Sequence, residues 1–190
     1  MSTNIKKLAL SGCCALAFGL VVSSSGAMAG QYGIGSTASA ADVAKIDIDV
    51  RPDGKGAPPG QGTYSQGKEV YANTCAACHG ADMAKPVKGT GAAPLRGGRG
   101  TLASGKPKKT VESYWPYAST LFDYTKRAMP FNAPGSMSDN DIYAVVAYIL
   151  AEGNIIDKKT TMNAKALGEV KMPNRNGFIS DARPDVFNYD

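Results

Sequence analysis

The chain has 190 residues, of which 22 are glycine and 11 are proline, a length that suits one domain and a composition that leaves little room for long regular elements. A formal charge of +5 is too weak an excess to argue for nucleic acid as a partner. One histidine and four cysteines also set narrow limits on any metal chemistry.

The first residues read as an export signal. Lys6 and Lys7 precede an apolar run from Leu8 to Val22, and Ala27-Met28-Ala29 before Gly30 is an A-x-A cleavage pattern. The run is too short and too rich in Gly, Ser and Cys to span hydrocarbon, which takes about 20 consecutive apolar residues. Residues 1–29 are therefore expected to be a signal peptide, and the remainder a periplasmic protein with no membrane span. A lipoprotein box ending at Cys13 is the weaker reading, because few apolar residues precede it. Cleavage removes Cys13 and Cys14 and leaves Cys75 and Cys78, so a structural disulfide framework is not expected.

Residues 30–62, ending in a run dense in Pro and Gly, read as an extended arm. Residues 63–153 read as a helical domain. Gly67, Val70, Tyr71, Thr74 and Cys75 share one helical face that leads into Cys75-Ala-Ala-Cys78-His79. After a loop from Gly80 to Lys109, a second helix is predicted from Pro116 to Ala128, stopped by Pro130. A third is predicted after Ser138, which caps it with Asp141 three residues on. Ile142, Val145, Val146, Ile149 and Leu150 repeat at amphipathic spacing until Gly153. Residues 154–190 read as an irregular C-terminal extension.

Cys75-Ala-Ala-Cys78-His79 has the spacing of c-type haem attachment, in which two thiols reach two vinyl groups and the next residue offers imidazole to the iron. Structural zinc needs four Cys or His ligands, more than remain after cleavage, and a redox dithiol needs a strand-helix-strand context that is missing. His79 is the sole histidine, which excludes bis-histidine ligation within the chain. Methionine is the usual opposite ligand in electron-transfer cytochromes. Met83 lies too near His79 to cross the ring, and Met137 is explained as a staple packing on Ile142. Met162 and Met172 are the other methionines of the exported chain. Met129, at the end of the second helix and fixed by Pro130, is the expected distal ligand.

Residues 83–111 hold seven basic side chains and no acidic one. A solvated loop, docking of an acidic partner surface, and neutralisation of haem propionates by Arg99 are the readings considered. Trp115, with Tyr114 beside it, could donate to a propionate or pack in the core. No residue set for acid-base or nucleophilic catalysis stands out, so the chain is expected to move electrons and not to be an enzyme by itself.

Gly67 and Tyr71, with Val145 and Tyr148, resemble the crossed terminal helices of class I cytochromes c, an all-α fold of three main helices around one haem. Pro94 is similar to the family proline whose carbonyl receives the histidine Nδ1 proton, although here Leu95 follows it directly. A narrower resemblance covers most of the exported chain. The strings Asp47-Ile-Asp-Val-Arg-Pro-Asp-Gly, Gly97-Gly-Arg-Gly-Thr-Leu-Ala, Ser113-Tyr-Trp-Pro-Tyr-Ala, Leu121-Phe-Asp-Tyr, Arg127-Ala-Met-Pro-Phe and Met172-Pro-Asn-Arg-Asn-Gly-Phe look like the cytochrome subunit (SoxD-type) of molybdenum-dependent sulfane and sulfite dehydrogenases. The resemblance implies haem c as cofactor and Met129 as distal ligand. It also implies a molybdenum-containing dehydrogenase subunit as partner, and a downstream cytochrome as electron acceptor. A freestanding carrier cytochrome is the alternative reading.

Overall fold

The computed structural model describes residues 34–179, so the predicted signal peptide lies outside the described residues. The chain divides into two units, residues 1–43 and 44–190. Ser39 caps helix α1 (Ala40–Ile46), its hydroxyl accepting the Asp42 N–H at 3.2 Å.

The second unit begins its regular structure with strand β1 (Gln61–Gly62) and helix α2 (Tyr64–Val70). A reciprocal capping box starts α2: Thr63 donates its N–H to Gln66 Oε1 at 3.0 Å and accepts the Gln66 N–H on its hydroxyl at 3.4 Å. A π-helical turn, Tyr71–Cys75, follows, and then helix α3 (Ala76–His79). The predicted first helix is thus real but not uniform. Its middle turn is wider than an α-helical one, and the last turn carries the Cys-Ala-Ala-Cys-His motif. Helix α4 (Ala118–Ala128) starts two residues later than predicted, because Tyr117 is extended (φ −136°, ψ 139°) and takes the N-cap position, leaving Pro116 outside.

Helix α5 (Asp139–Glu152) has the predicted bounds, with the Ser138 hydroxyl accepting the Asp141 N–H at 3.2 Å and Gly153 at its end. Its pattern predicts one buried stripe, yet all residues from Ile142 to Ala151 are buried. The helix is enclosed, as a helix apolar all round must be. The cover comes partly from segments that sequence reasoning assigns to irregular arms. Strand β2 (Met162–Asn163) pairs antiparallel with β1, Gly62 opposite Met162, and helix α6 (Ala164–Glu169) follows at once, capped by Asn163. Met162, Leu167, Val170 and Met172 from this extension, and Val50 from the arm, are buried in the same core as Phe122, Tyr143 and Leu150. The arms are therefore corrected from loose extensions to parts of the core, because α5 cannot stay apolar on every side without them.

Two glycines let α2 and β1 approach α5. A Cβ on Gly67 would lie 1.8 Å from the Ala144 carbonyl oxygen, and one on Gly62 would lie 2.2 Å from the Ala144 nitrogen. The contact residue on α5 is Ala144, not the predicted Val145, whose side chain is turned into the core. Tyr148 lies beside the crossing, its ring centroid 5.1 Å from that of Tyr64 and 5.5 Å from that of Tyr71.

At the end of α5, Glu152 joins three segments. Its carboxylate accepts from Lys158 Nζ at 2.9 Å and Tyr64 Oη at 2.8 Å, and pairs with Arg96 at 3.5 Å. The hydrogen bonds from Lys158 and Tyr64 hold its pKa below the ordinary carboxylate value. Among the described residues, no helix is long and apolar enough to cross a membrane.

The close approach sets a sharp expectation. Gly67→Ala should lower the unfolding free energy by about 1–3 kcal/mol, the usual cost of forcing extra volume into a packed contact. Denaturant unfolding of the purified protein measures it, and an unchanged midpoint would refute the crossing.

Candidate functional site

The π-helical turn and α3 present Cys75, Cys78 and His79 within a single bend of chain. Cys75 and Cys78 stand three residues apart, a spacing that places side chains on the same helical face. Neither forms a disulfide; Cys75 is half-buried and Cys78 exposed. Burial, and secondarily the neighbouring Cys78, pushes the Cys75 thiol up to about 11. The bend is closed by Tyr71, whose hydroxyl donates to the Gly80 carbonyl at 2.7 Å from the buried side. Gly80 takes a positive φ of 78°, and a Cβ there would lie 2.2 Å from the Lys85 carbonyl oxygen. The Cys78 carbonyl then accepts the Val87 N–H at 2.9 Å, folding the following loop back onto the motif.

His79 Nδ1 lies 2.9 Å from the Ala93 carbonyl oxygen. A carbonyl only accepts, so Nδ1 carries the proton and Nε2 keeps its lone pair for a metal. The acceptor expected from sequence is the Pro94 carbonyl, and the structure corrects this by one residue. The loop register explains the shift. Leu95 and Arg96 both donate their N–H to the Met83 carbonyl, at 2.8 and 3.1 Å, and with Leu95 directly after Pro94 the carbonyl that reaches the imidazole is the one before the proline.

Met129 terminates α4. Its N–H makes the last helical bond, to the Thr125 carbonyl at 3.1 Å, while its own backbone is extended (φ −123°, ψ 147°). It is half-buried and stands outside the core cluster, whereas Met83, Met162 and Met172 are fully engaged in that cluster and Met137 packs against it. Trp115 is half-buried against the core, and its ring meets Tyr124 edge-on at 5.7 Å. The structure shows no hydrogen bond for its indole N–H among the described residues.

Arg99 has protein partners in two segments. Its Nε pairs with Glu112 at 2.8 Å and its terminal nitrogen donates to the Gly153 carbonyl, so the guanidinium ties the loop to the end of α5. Glu112 also accepts the Gly97 N–H at 2.7 Å, and Lys109 lies over the Tyr114 ring at 4.9 Å. Part of the basic loop is thus spent internally. Ala93, Glu112 and the Tyr71 clasp are missing from the sequence-based site, since a backbone carbonyl and a distant carboxylate leave no local signature.

The donor set fits a c-type haem. Two unpaired thiols share a face, one imidazole nitrogen is free because the other is satisfied, and a thioether remains outside the core. Among the described residues no cluster of three or more His, Cys, Asp or Glu side chains gathers as a zinc site would require. Residues 64–152 match the family model for cytochrome c. The crystal structure of the sulfane dehydrogenase SoxCD from Paracoccus pantotrophus superposes with a TM-score of 0.72 at 35% identity, covering 82% of this chain and 75% of that one.

The chain belongs to the cytochrome c family.

A thiosulfate dehydrogenase from Stutzerimonas stutzeri (strain A1501) is 31% identical over 93 residues, which are 48% of this chain and 28% of that protein. The chain therefore matches little more than a quarter of that relative's length. As a cytochrome c, this protein has haem c as its covalent cofactor and electron transfer as its work. Cys75 and Cys78 have the spacing of the attachment motif.

Covalent attachment has a direct test. The purified protein should keep its colour through acid-acetone extraction, whereas a haem held by coordination alone passes into the organic phase. Appearance of haem in the acetone layer would overturn the attachment.

Proposed function

We propose that this cytochrome c carries one haem, ligated by His79 and Met129, and is the electron-accepting subunit of a periplasmic molybdenum-containing dehydrogenase that oxidises sulfane or sulfite sulfur. The observation that carries this reading is the extent of the likeness to the sulfane dehydrogenase. It covers 82% of the chain, whereas the cytochrome c match stops at residues 64–152, so the shared part includes the arm and the extension.

When bound, the haem supplies a one-electron couple. The chain's own residues do the rest. His79 offers Nε2 while the Ala93 carbonyl fixes its tautomer and ring plane. The Tyr71–Gly80 clasp and the Gly80 turn keep both thiols and the imidazole in one preset bend. Met129 offers a soft thioether, the ligand that raises the potential in electron-transfer cytochromes. Oxidation of sulfur needs a two-electron centre and an oxygen source, and this role belongs to the partner. Single electrons then leave for a downstream acceptor cytochrome.

The ligand assignment predicts that the ferric protein has the near-infrared sulfur-to-iron charge-transfer band. Met129→Ala should abolish the band and Met137→Ala should keep it. The reverse pattern would reassign the ligand to Met137.

For the partner, the isolated chain should not oxidise sulfite or sulfane compounds, yet its ferric haem should be reduced rapidly once the cognate molybdenum subunit and substrate are both present. Co-purification of the two chains at high salt separates a stable complex from collisional transfer, since purely electrostatic docking weakens as screening shortens to about 8 Å at physiological ionic strength. Equal reduction by unrelated donors, with no co-purifying molybdenum protein, would make it a freestanding carrier.

A further inference from the structure

Met129 opens the loop between α4 and α5. From Pro130 to Ser136, its hydrogen bonds among the described residues are two local turns: Ala133 N–H to the Pro130 carbonyl at 2.8 Å, and Ser136 N–H to the Ala133 carbonyl at 3.3 Å. Turns of this kind shape a loop without anchoring it to the rest of the protein. On the Met129 side, the anchoring comes from the end of α4.

Two ion-paired cations sit there. Lys126 pairs with Asp139 in the first turn of α5 and closes the base of the loop. Arg127 reaches elsewhere. Its Nε donates to Asp123 Oδ2 at 2.9 Å, one turn back on α4, and its terminal nitrogen pairs with Asp49, 78 residues earlier in the chain. The other oxygen of Asp123 accepts the Val50 N–H at 3.1 Å, and the Val50 side chain is buried in the core. One carboxylate thus bridges the guanidinium and the backbone of the segment that precedes the haem domain.

We propose that Asp49, Asp123 and Arg127 form a positioning clamp that fixes the end of α4, and through it Met129, to the segment before the haem domain. The inference rests on Met129 as the distal ligand. A single exposed ion pair would hold little. Here the planar guanidinium meets two carboxylates in different directions, and one of these is tied to a backbone whose side chain is rooted in the core. Arg127 also sits in the last turn of α4, where a cation complements the helix dipole, so a purely structural role has to be told apart from positioning.

The test uses the full-length haem-loaded protein with Asp49→Asn, Arg127→Gln, Arg127→Lys and the double variant Asp49→Asn/Arg127→Gln. Asp49 has a side chain that is 74% exposed, so its replacement leaves the core untouched. Two quantities are read in the ferric state: the rate at which added cyanide displaces the distal ligand, and the temperature at which the near-infrared band bleaches relative to the far-ultraviolet dichroism midpoint. Asp49→Asn should speed displacement about two- to five-fold, Arg127→Gln should speed it more, and Arg127→Lys should fall between wild type and Arg127→Gln. The double variant should match Arg127→Gln, because Asp49 acts through Arg127. The band should bleach at a lower temperature while the dichroism midpoint moves less. Unchanged displacement rates, or a band and a dichroism midpoint that fall together, would overturn the clamp. Met129→Ala is the control: a band that survives it overturns the ligand assignment and the clamp with it, while a band lost in Met129→Ala and unchanged rates in the clamp variants overturn the clamp alone.

Discussion

Where α2 crosses α5, backbone meets backbone. A methyl group on Gly67 would stand 1.8 Å from the Ala144 oxygen, and one on Gly62 would stand 2.2 Å from the Ala144 nitrogen, so the chain passes Ala144 twice with no side chain between. The rest of the molecule depends on this distance. With α2 so close, Tyr71 and Tyr148 face each other at 5.5 Å, and the Tyr71 hydroxyl can reach the Gly80 carbonyl behind the haem motif. At the far end of α5, Glu152 can accept from Tyr64, the first residue of α2. A wider separation would break the Tyr64–Glu152 tie and part the Tyr71 and Tyr148 rings.

The same closeness creates a demand for cover. An α5 buried from Ile142 to Ala151 needs apolar neighbours all round, and α2 and α4 do not surround it. The β1–β2 pair and α6 fill the gap, carrying Met162 and Leu167 into the core, while Val50 closes another side. These short elements hold one another: β1 pairs with β2, and Asn163 at the end of β2 caps α6. This is also why the likeness to the sulfane dehydrogenase runs past the haem domain. The segments on either side are structural members of one fold.

Several features were legible from the sequence for identifiable reasons. Ser138, the apolar repeat and Gly153 are three independent signals for one helix, and they agree with the observed bounds. Cys75, Cys78 and His79 were legible because their spacing is itself the chemistry. The Ala93 carbonyl was not, since every residue has a carbonyl and only the anchoring of Leu95 and Arg96 on Met83 decides which one meets the imidazole. Ala144 was missed for a related reason: periodicity says which side of α5 is apolar, but the crossing selects the smallest residue that Gly67 can touch. Met162, Leu167, Val170 and Met172 follow neither helical nor strand spacing, so the extension that holds them looks irregular until its partners are in place. Glu112, the partner of Arg99, and Asp49, one partner of Arg127, come from outside the turn each arginine sits in, and charge counts along the chain are blind to such pairing.

The contacts that complete the core impose an order on how the protein can form. Gly67 meets its neighbour only when Ala144 has been made, and Gly62 pairs with Met162 a hundred residues later. Val50 waits for Asp123 to receive its N–H. No stretch that stops before Met172 contains the whole core. Contacts this far apart in sequence also slow the search for the native state, because loops must close before burial rewards them. A chain that stops short of Met172 lacks part of its core. Cys75, Cys78 and His79 come before most of the residues that close that core.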